Sequence, residues 1–153
     1  MKSYTIILLT LLILGITSSR AQDGLSTSKD SLSPILDKYY ELNLKVFQAN
    51  STQEDIDNIF DLFTDDFTYV HHNYGGVYTR EDLFNGYVRN QKNGGYDGSV
   101  INIGVENKIL GLNAVAVSKR FIKREGGEIV EGEVQMALFE FKEGKIFRIT
   151  EFW

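Results

Sequence analysis

An α+β fold, with helices gathered on one side of a mostly antiparallel sheet, is predicted by three observations. Apolar residues recur at helical spacing only in the first part of the chain, over 35–47, 56–63 and 83–88. From about Ser99 the pattern changes to β-branched and aromatic runs separated by Gly- and Asn-containing turns. Between these regimes lies one extended stretch, Phe67-Thr68-Tyr69-Val70-His71-His72, followed by the turn signal Asn73-Tyr74-Gly75-Gly76. The predicted order is α-α-β-β-α-β-β-β-β. Helices segregated from a run of antiparallel strands define this class.

The first segment reads as an address. Lys2 precedes an apolar run from Ile6 to Ile16, and Ser19 and Ala21 put small residues three and one positions before a cut after Ala21. This is the pattern of a secretory signal peptide over residues 1–21, and the run is short for a transmembrane anchor. The expected location is secreted or periplasmic. Residues 22–32 are polar and rich in small side chains, and are expected to form a disordered leader. Residues 33–153 are then one domain, the size for a single core.

Charge and cysteine content narrow the function classes. Removing Lys2 and Arg20 leaves fourteen basic against twenty-one acidic residues, a net charge of −7. That argues against a nucleic-acid partner and against an anionic membrane surface after cleavage, because both require clustered Lys and Arg. With no cysteine in the chain, stability must come from the core rather than from disulfides.

Ser33-Pro34 reads as a helix opening, with Ser at the N-cap and Pro at the first helical position. Ile35, Tyr39, Leu42 and Val46 form an apolar stripe that Leu36, Tyr40 and Phe47 widen. Thr52 opens a second helix, with Glu54 and Asp55 in its first turn and Ile56, Ile59, Phe60 and Phe63 on its apolar side. In the strand that follows, Phe67, Tyr69 and His71 share one face, while Thr68, Val70 and His72 share the other. Two rings that diverge in this way cannot chelate one metal as a pair, so no metal site is expected. Thr79-Arg80-Glu81-Asp82 opens a third helix as a capping-box variant, running to about Asn90.

Four long strands complete the reading: Ser99 to Leu110, Ala114 to Arg124, Glu128 to Lys142 and Ile146 to Trp153. On the third, Val130, Val134, Met136 and Leu138 lie on one face, and Ala137, Phe139 and Phe141 on the other. One face packs on the helices, and the other calls for cover, which a symmetric homodimer would supply. Lys119, Arg120, Lys123 and Arg124 stand across a hairpin from Glu125, Glu128 and Glu131, as in a cross-strand charge ladder.

With these elements in place, the chain resembles the nuclear transport factor 2-like superfamily, in its SnoaL-like and ketosteroid-isomerase-like branches. The residues that carry the resemblance are Leu62-Phe63-Thr64-Asp65-Asp66-Phe67, Gly76-Val77-Tyr78-Thr79-Arg80-Glu81-Asp82-Leu83, and the ending Phe141-Lys142-Glu143-Gly144-Lys145-Ile146 with Phe152-Trp153. The resemblance implies a cone-shaped curved sheet wrapped around the helices, with one deep apolar pocket. It places a general base near the end of the strand after the Asp-Asp step, at His71. It aligns the second acid of some members near Ala137, which cannot donate a proton, while Gln135 and Glu133 share that face.

The resemblance also turns Phe147, Ile149, Glu151 and Trp153 toward the pocket, and lets either Tyr39 or Tyr40 act as a donor. The expected ligand-binding set is Tyr39, Tyr40, Tyr69, Gln135, Glu151 and Trp153, with His71 as the candidate catalytic residue. No cofactor is expected. Two functions remain open on the sequence. One is an exported module that binds a small apolar or amphipathic ligand. The other is a cofactor-independent isomerase, dehydratase or cyclase using His71 as base. A structural histidine at position 71 is the plain alternative to the second.

Overall fold

The computed structural model describes residues 29–153; the signal-peptide reading of residues 1–21 and the leader up to residue 28 lie outside the described residues. The element order is α1 (Lys29–Val46), α2 (Gln53–Phe60), β1 (Phe63–His71), a 3₁₀ turn (His72–Tyr74), β2 (Gly76–Thr79), α3 (Arg80–Lys92), β3 (Val100–Leu110), β4 (Ala114–Glu125), β5 (Glu128–Glu131), β6 (Gln135–Lys142) and β7 (Lys145–Glu151).

α1 begins a turn earlier than the Ser33-Pro34 signal predicted, so helix takes the place of leader over residues 29–32. The cause is Leu32. It is fully buried and extends the stripe of Leu36, Tyr39 and Tyr40 by one turn. Pro34 lies on the exposed side, where its missing N–H is the main cost. α2 and α3 start where the sequence places them. Thr52 and Asp55, and likewise Thr79 and Asp82, form reciprocal capping boxes.

The seven strands form one sheet in the order β2-β1-β7-β6-β4-β3, with β5 paired only to β4. The sheet is mixed rather than wholly antiparallel, because β7 runs parallel to β1. The stretch expected as one strand from Glu128 to Lys142 is two. The chain leaves the ladder at Gly132, whose N–H bonds to Phe121 O, and re-enters at Gln135. β5 is consequently an arm with every residue exposed, and Val130 leaves the outer sheet face for it. On that face Ile109, Ala116 and Leu138 stand in register across three strands, with Met136 beside them.

Register shifts in β1, β3 and β7 curve the sheet around the helices. In β7 the shift leaves Phe147 unpaired, so it turns from the predicted inner face and packs against the Lys142 and Arg148 cations, while Ile146 takes the buried position. In β1 the shift between Phe63 and Thr68 stacks the rings of Phe63 and Phe67 at 3.9 Å. The helices fill the concave side with Leu36, Val46, Ile56, Ile59 and Phe60, all sealed from solvent.

Candidate functional site

The concave side holds two adjoining cavities rather than one. The first has a volume of about 170 Å³ and lies between α1 and the strands β3, β4 and β7. The second, of about 300 Å³, lies under α3 against the end of β1. Tyr69, Leu83 and Tyr87 line both and stand between them.

The first cavity has apolar and aromatic walls with one charged pair set into them. Lys119 and Glu151 are only 3% and 6% exposed, and Lys119 Nζ lies 3.6 Å from Glu151 Oε2. Glu151 also accepts a 2.7 Å hydrogen bond from the Trp153 indole N–H. Lys119 donates to Gln135 Oε1 at 2.9 Å and sits over the rings of Phe121 at 4.8 Å and Trp153 at 5.6 Å. An ammonium has three donors, and the separation from Glu151 is too long for a hydrogen bond, so most of its donor capacity is unmet. Burial pushes the Lys119 amine below its ordinary value, an effect that Glu151 partly offsets.

Tyrosines complete the wall. Tyr87 donates to Asn43 Oδ1 at 2.6 Å, and Asn43 in turn donates to Tyr39 O at 2.9 Å, which fixes the amide and the phenol together. The Tyr40 hydroxyl is buried with no hydrogen-bond partner among the described residues. Burial raises the Tyr39, Tyr40, Tyr69 and Tyr87 phenols well above the usual range, so they remain protonated donors at neutral pH.

His71 is buried and shares the inner face with Phe67 and Tyr69, as alternation predicts; His72 lies beyond the strand rather than on its other face, exposed at the start of the 3₁₀ turn. The His71 ring lies edge-to-face with Tyr74 and with Trp153, at 4.5 Å in each case. Neither ring nitrogen has a hydrogen-bond partner among the described residues. His71 lines the second cavity and not the first. It faces Glu151 across the parallel ladder, but the Glu151 carboxylate is bonded to Trp153 instead.

Of the residues expected from sequence, Tyr39, Tyr40, Tyr69, Glu151 and Trp153 line the first cavity together. Gln135 stands behind Lys119 as its hydrogen-bond acceptor and does not line the cavity. His71 is displaced to the second. Lys119 is the residue that sequence reasoning missed: the charge-ladder reading holds for Arg120, which pairs with Glu131 and Glu106, but Lys119 points inward. The signal was present. Val115, Val117 and Lys119 alternate in one register, which puts a lysine on a buried face. Asn43, one turn on from Tyr39 within the buried stripe, was legible in the same way.

Among the described residues, no group of His, Asp or Glu side chains is arranged to hold a metal ion, and no helix is long and apolar enough to cross a membrane. No family model matches the sequence, and no curated protein is significantly similar to it. Solved structures do resemble it in fold. An NTF2-like protein of Anabaena variabilis superposes with a TM-score of 0.57 at 15% identity, covering 80% of this chain and 89% of that one. A protein of Catenulispora acidiphila with a ketosteroid isomerase-like fold, in complex with trimethylamine, gives 0.53 at 15% identity over 78% and 84%. A proposed polyketide cyclase of Sinorhizobium meliloti gives 0.54 at 15% identity over 82% and 99%.

Proposed function

Starting from a nuclear transport factor 2-like fold, we propose that this chain binds a small, mostly apolar molecule carrying a carbonyl oxygen, held in the first cavity. One observation carries the reading: Tyr40, whose buried hydroxyl has no partner among the described residues, and Lys119, whose ammonium hydrogen-bonds only Gln135, line the same cavity. A buried polar group without a partner is costly, and a ligand acceptor removes that cost. The Lys119–Glu151 pair is already close to neutral, so a neutral carbonyl suits it better than a carboxylate, which would bury a further charge beside Glu151.

Acetophenone and its oxygen-free near-isostere isopropylbenzene test this, with the fluorescence of Trp153 as readout, since it is the one tryptophan of the chain and lines the cavity. Saturable binding of acetophenone, at least ~10-fold tighter than that of isopropylbenzene, is expected from one buried hydrogen bond gained. Equal binding of the two contradicts the reading.

A second reading, proton transfer by His71 in an isomerase, dehydratase or cyclase, is favoured by the two unpartnered nitrogens of that buried ring. It requires a substrate that reaches the second cavity. On a substrate that is turned over, His71→Ala would lose at least ~100-fold in rate and His72→Ala little; similar behaviour of the two variants rules it out. In either reading the protein acts outside the cytoplasm, as a homodimer through its outer sheet face.

A further inference from the structure

We propose that the second cavity is an aromatic cage for a small organic cation of the quaternary ammonium type, a site separate from the carbonyl-binding cavity. Five of the eight tyrosines in the chain line it: Tyr69, Tyr74, Tyr78, Tyr87 and Tyr96. Their rings are inclined rather than stacked flat. Tyr69 meets Tyr78 at 6.3 Å and 50°, and Tyr87 meets Tyr96 at 6.2 Å and 51°. The His71 ring continues the same wall, 6.3 Å from Tyr69 and 4.5 Å from Tyr74. Rings set at angles around a space present π-faces to it, and those faces attract a cation.

Two of the hydroxyls are occupied elsewhere. Tyr78 donates to Tyr74 O, and Tyr87 donates to Asn43 Oδ1. For these residues the ring rather than the hydroxyl is what a ligand meets. The cavity also has a carboxylate at its edge, Asp82, held below the usual carboxylate range by hydrogen bonds from the Thr79 hydroxyl and backbone N–H. Arg89 is the opposing charge at the rim; both side chains are exposed, so solvent screens its repulsion and the attraction of Asp82 alike, and the rings carry the recognition.

Space for the cation comes from Gly86. This residue lies inside α3, where a glycine costs about 0.5–1 kcal/mol relative to alanine. An added Cβ there would meet nothing within 4 Å, so no neighbouring side chain or strand explains the glycine. It lines the cavity, and a leucine in its place tests whether that space is used.

The test is isothermal titration of the full protein with tetramethylammonium, choline and 3,3-dimethyl-1-butanol, the uncharged carbon isostere of choline. Both cations should bind saturably, and the alcohol at least ~10-fold more weakly. Tyr96→Phe should keep choline binding within about threefold, whereas Tyr96→Leu should weaken it at least ~10-fold, because the ring is needed and the hydroxyl is not. Gly86→Leu, checked for helix content by circular dichroism, should abolish it. Failure of both cations to saturate, equal affinity for choline and the alcohol, or equal losses in the Phe and Leu variants would overturn the proposal.

Discussion

Lys119 on β4 and Glu151 at the end of β7 form an ion pair that is almost sealed from solvent, 3.6 Å apart and roofed by Trp153. Their strands are not neighbours, since β6 runs between them, and the small side chain of Ala137 on β6, paired with Glu151, lets them meet over it. Breaking such a pair from one side leaves a buried charge alone. Lys119→Met should therefore cost about 3–5 kcal/mol in urea unfolding, and adding Glu151→Gln should recover most of that loss. Additive losses in the double variant would mean that the two groups are not coupled.

The pair also sets a pH dependence. Burial lowers the folded-state value of Lys119 below its ordinary 10.5. Below that lowered value both folded and unfolded chains carry the proton, and the full cost of the buried ammonium is present. As pH rises from there to about 10.5 the unfolded chain holds more protons, so this group adds to stability over that interval. The stability gap between the wild type and Lys119→Met should widen over the same interval. A flat gap would show that the amine is not perturbed.

Tyr40→Phe separates binding from folding. The hydroxyl it removes has no partner among the described residues, so the variant should unfold within about 1 kcal/mol of the wild type, or later. Its affinity for acetophenone should nevertheless fall at least ~5-fold, a part of the ~10-fold carbonyl preference, because Lys119 remains as the other donor. A large stability loss with unchanged affinity would make the hydroxyl structural.

On the outer sheet face Ile109 is 72% and Met136 47% exposed, with Leu138 and Ala116 beside them. A second copy of the chain, packed face to face about a two-fold axis, would cover them. Sedimentation at micromolar concentration should give a dimer, and Met136→Lys should shift it to monomer. A soluble wild-type monomer would contradict this.

The helices, the capping boxes at Thr52 and Thr79 and most strand limits were legible in the sequence, because each rests on local spacing and cap chemistry. Two of the failures depend on partners distant in the chain. Phe147 leaves its predicted face because a bulge against β6 skips it, and Glu128–Lys142 divides because its pairing with β4 shifts by one residue between Glu131 and Gln135. His71 does point inward as alternation predicts, but Tyr69 and Tyr87 separate it from Glu151's cavity. Lys119 was hidden by its neighbours in sequence. Set among Arg120, Lys123 and Arg124 it reads as a surface charge, although its parity with Val115 and Val117 places it inside.

The most direct measurement is a crystal structure of the protein soaked with acetophenone. The account predicts density for the ligand in the first cavity, its carbonyl oxygen within about 3 Å of Lys119 Nζ or the Tyr40 hydroxyl. Density confined to the surface, or a ligand in the cavity with its oxygen turned away from both donors, would contradict it.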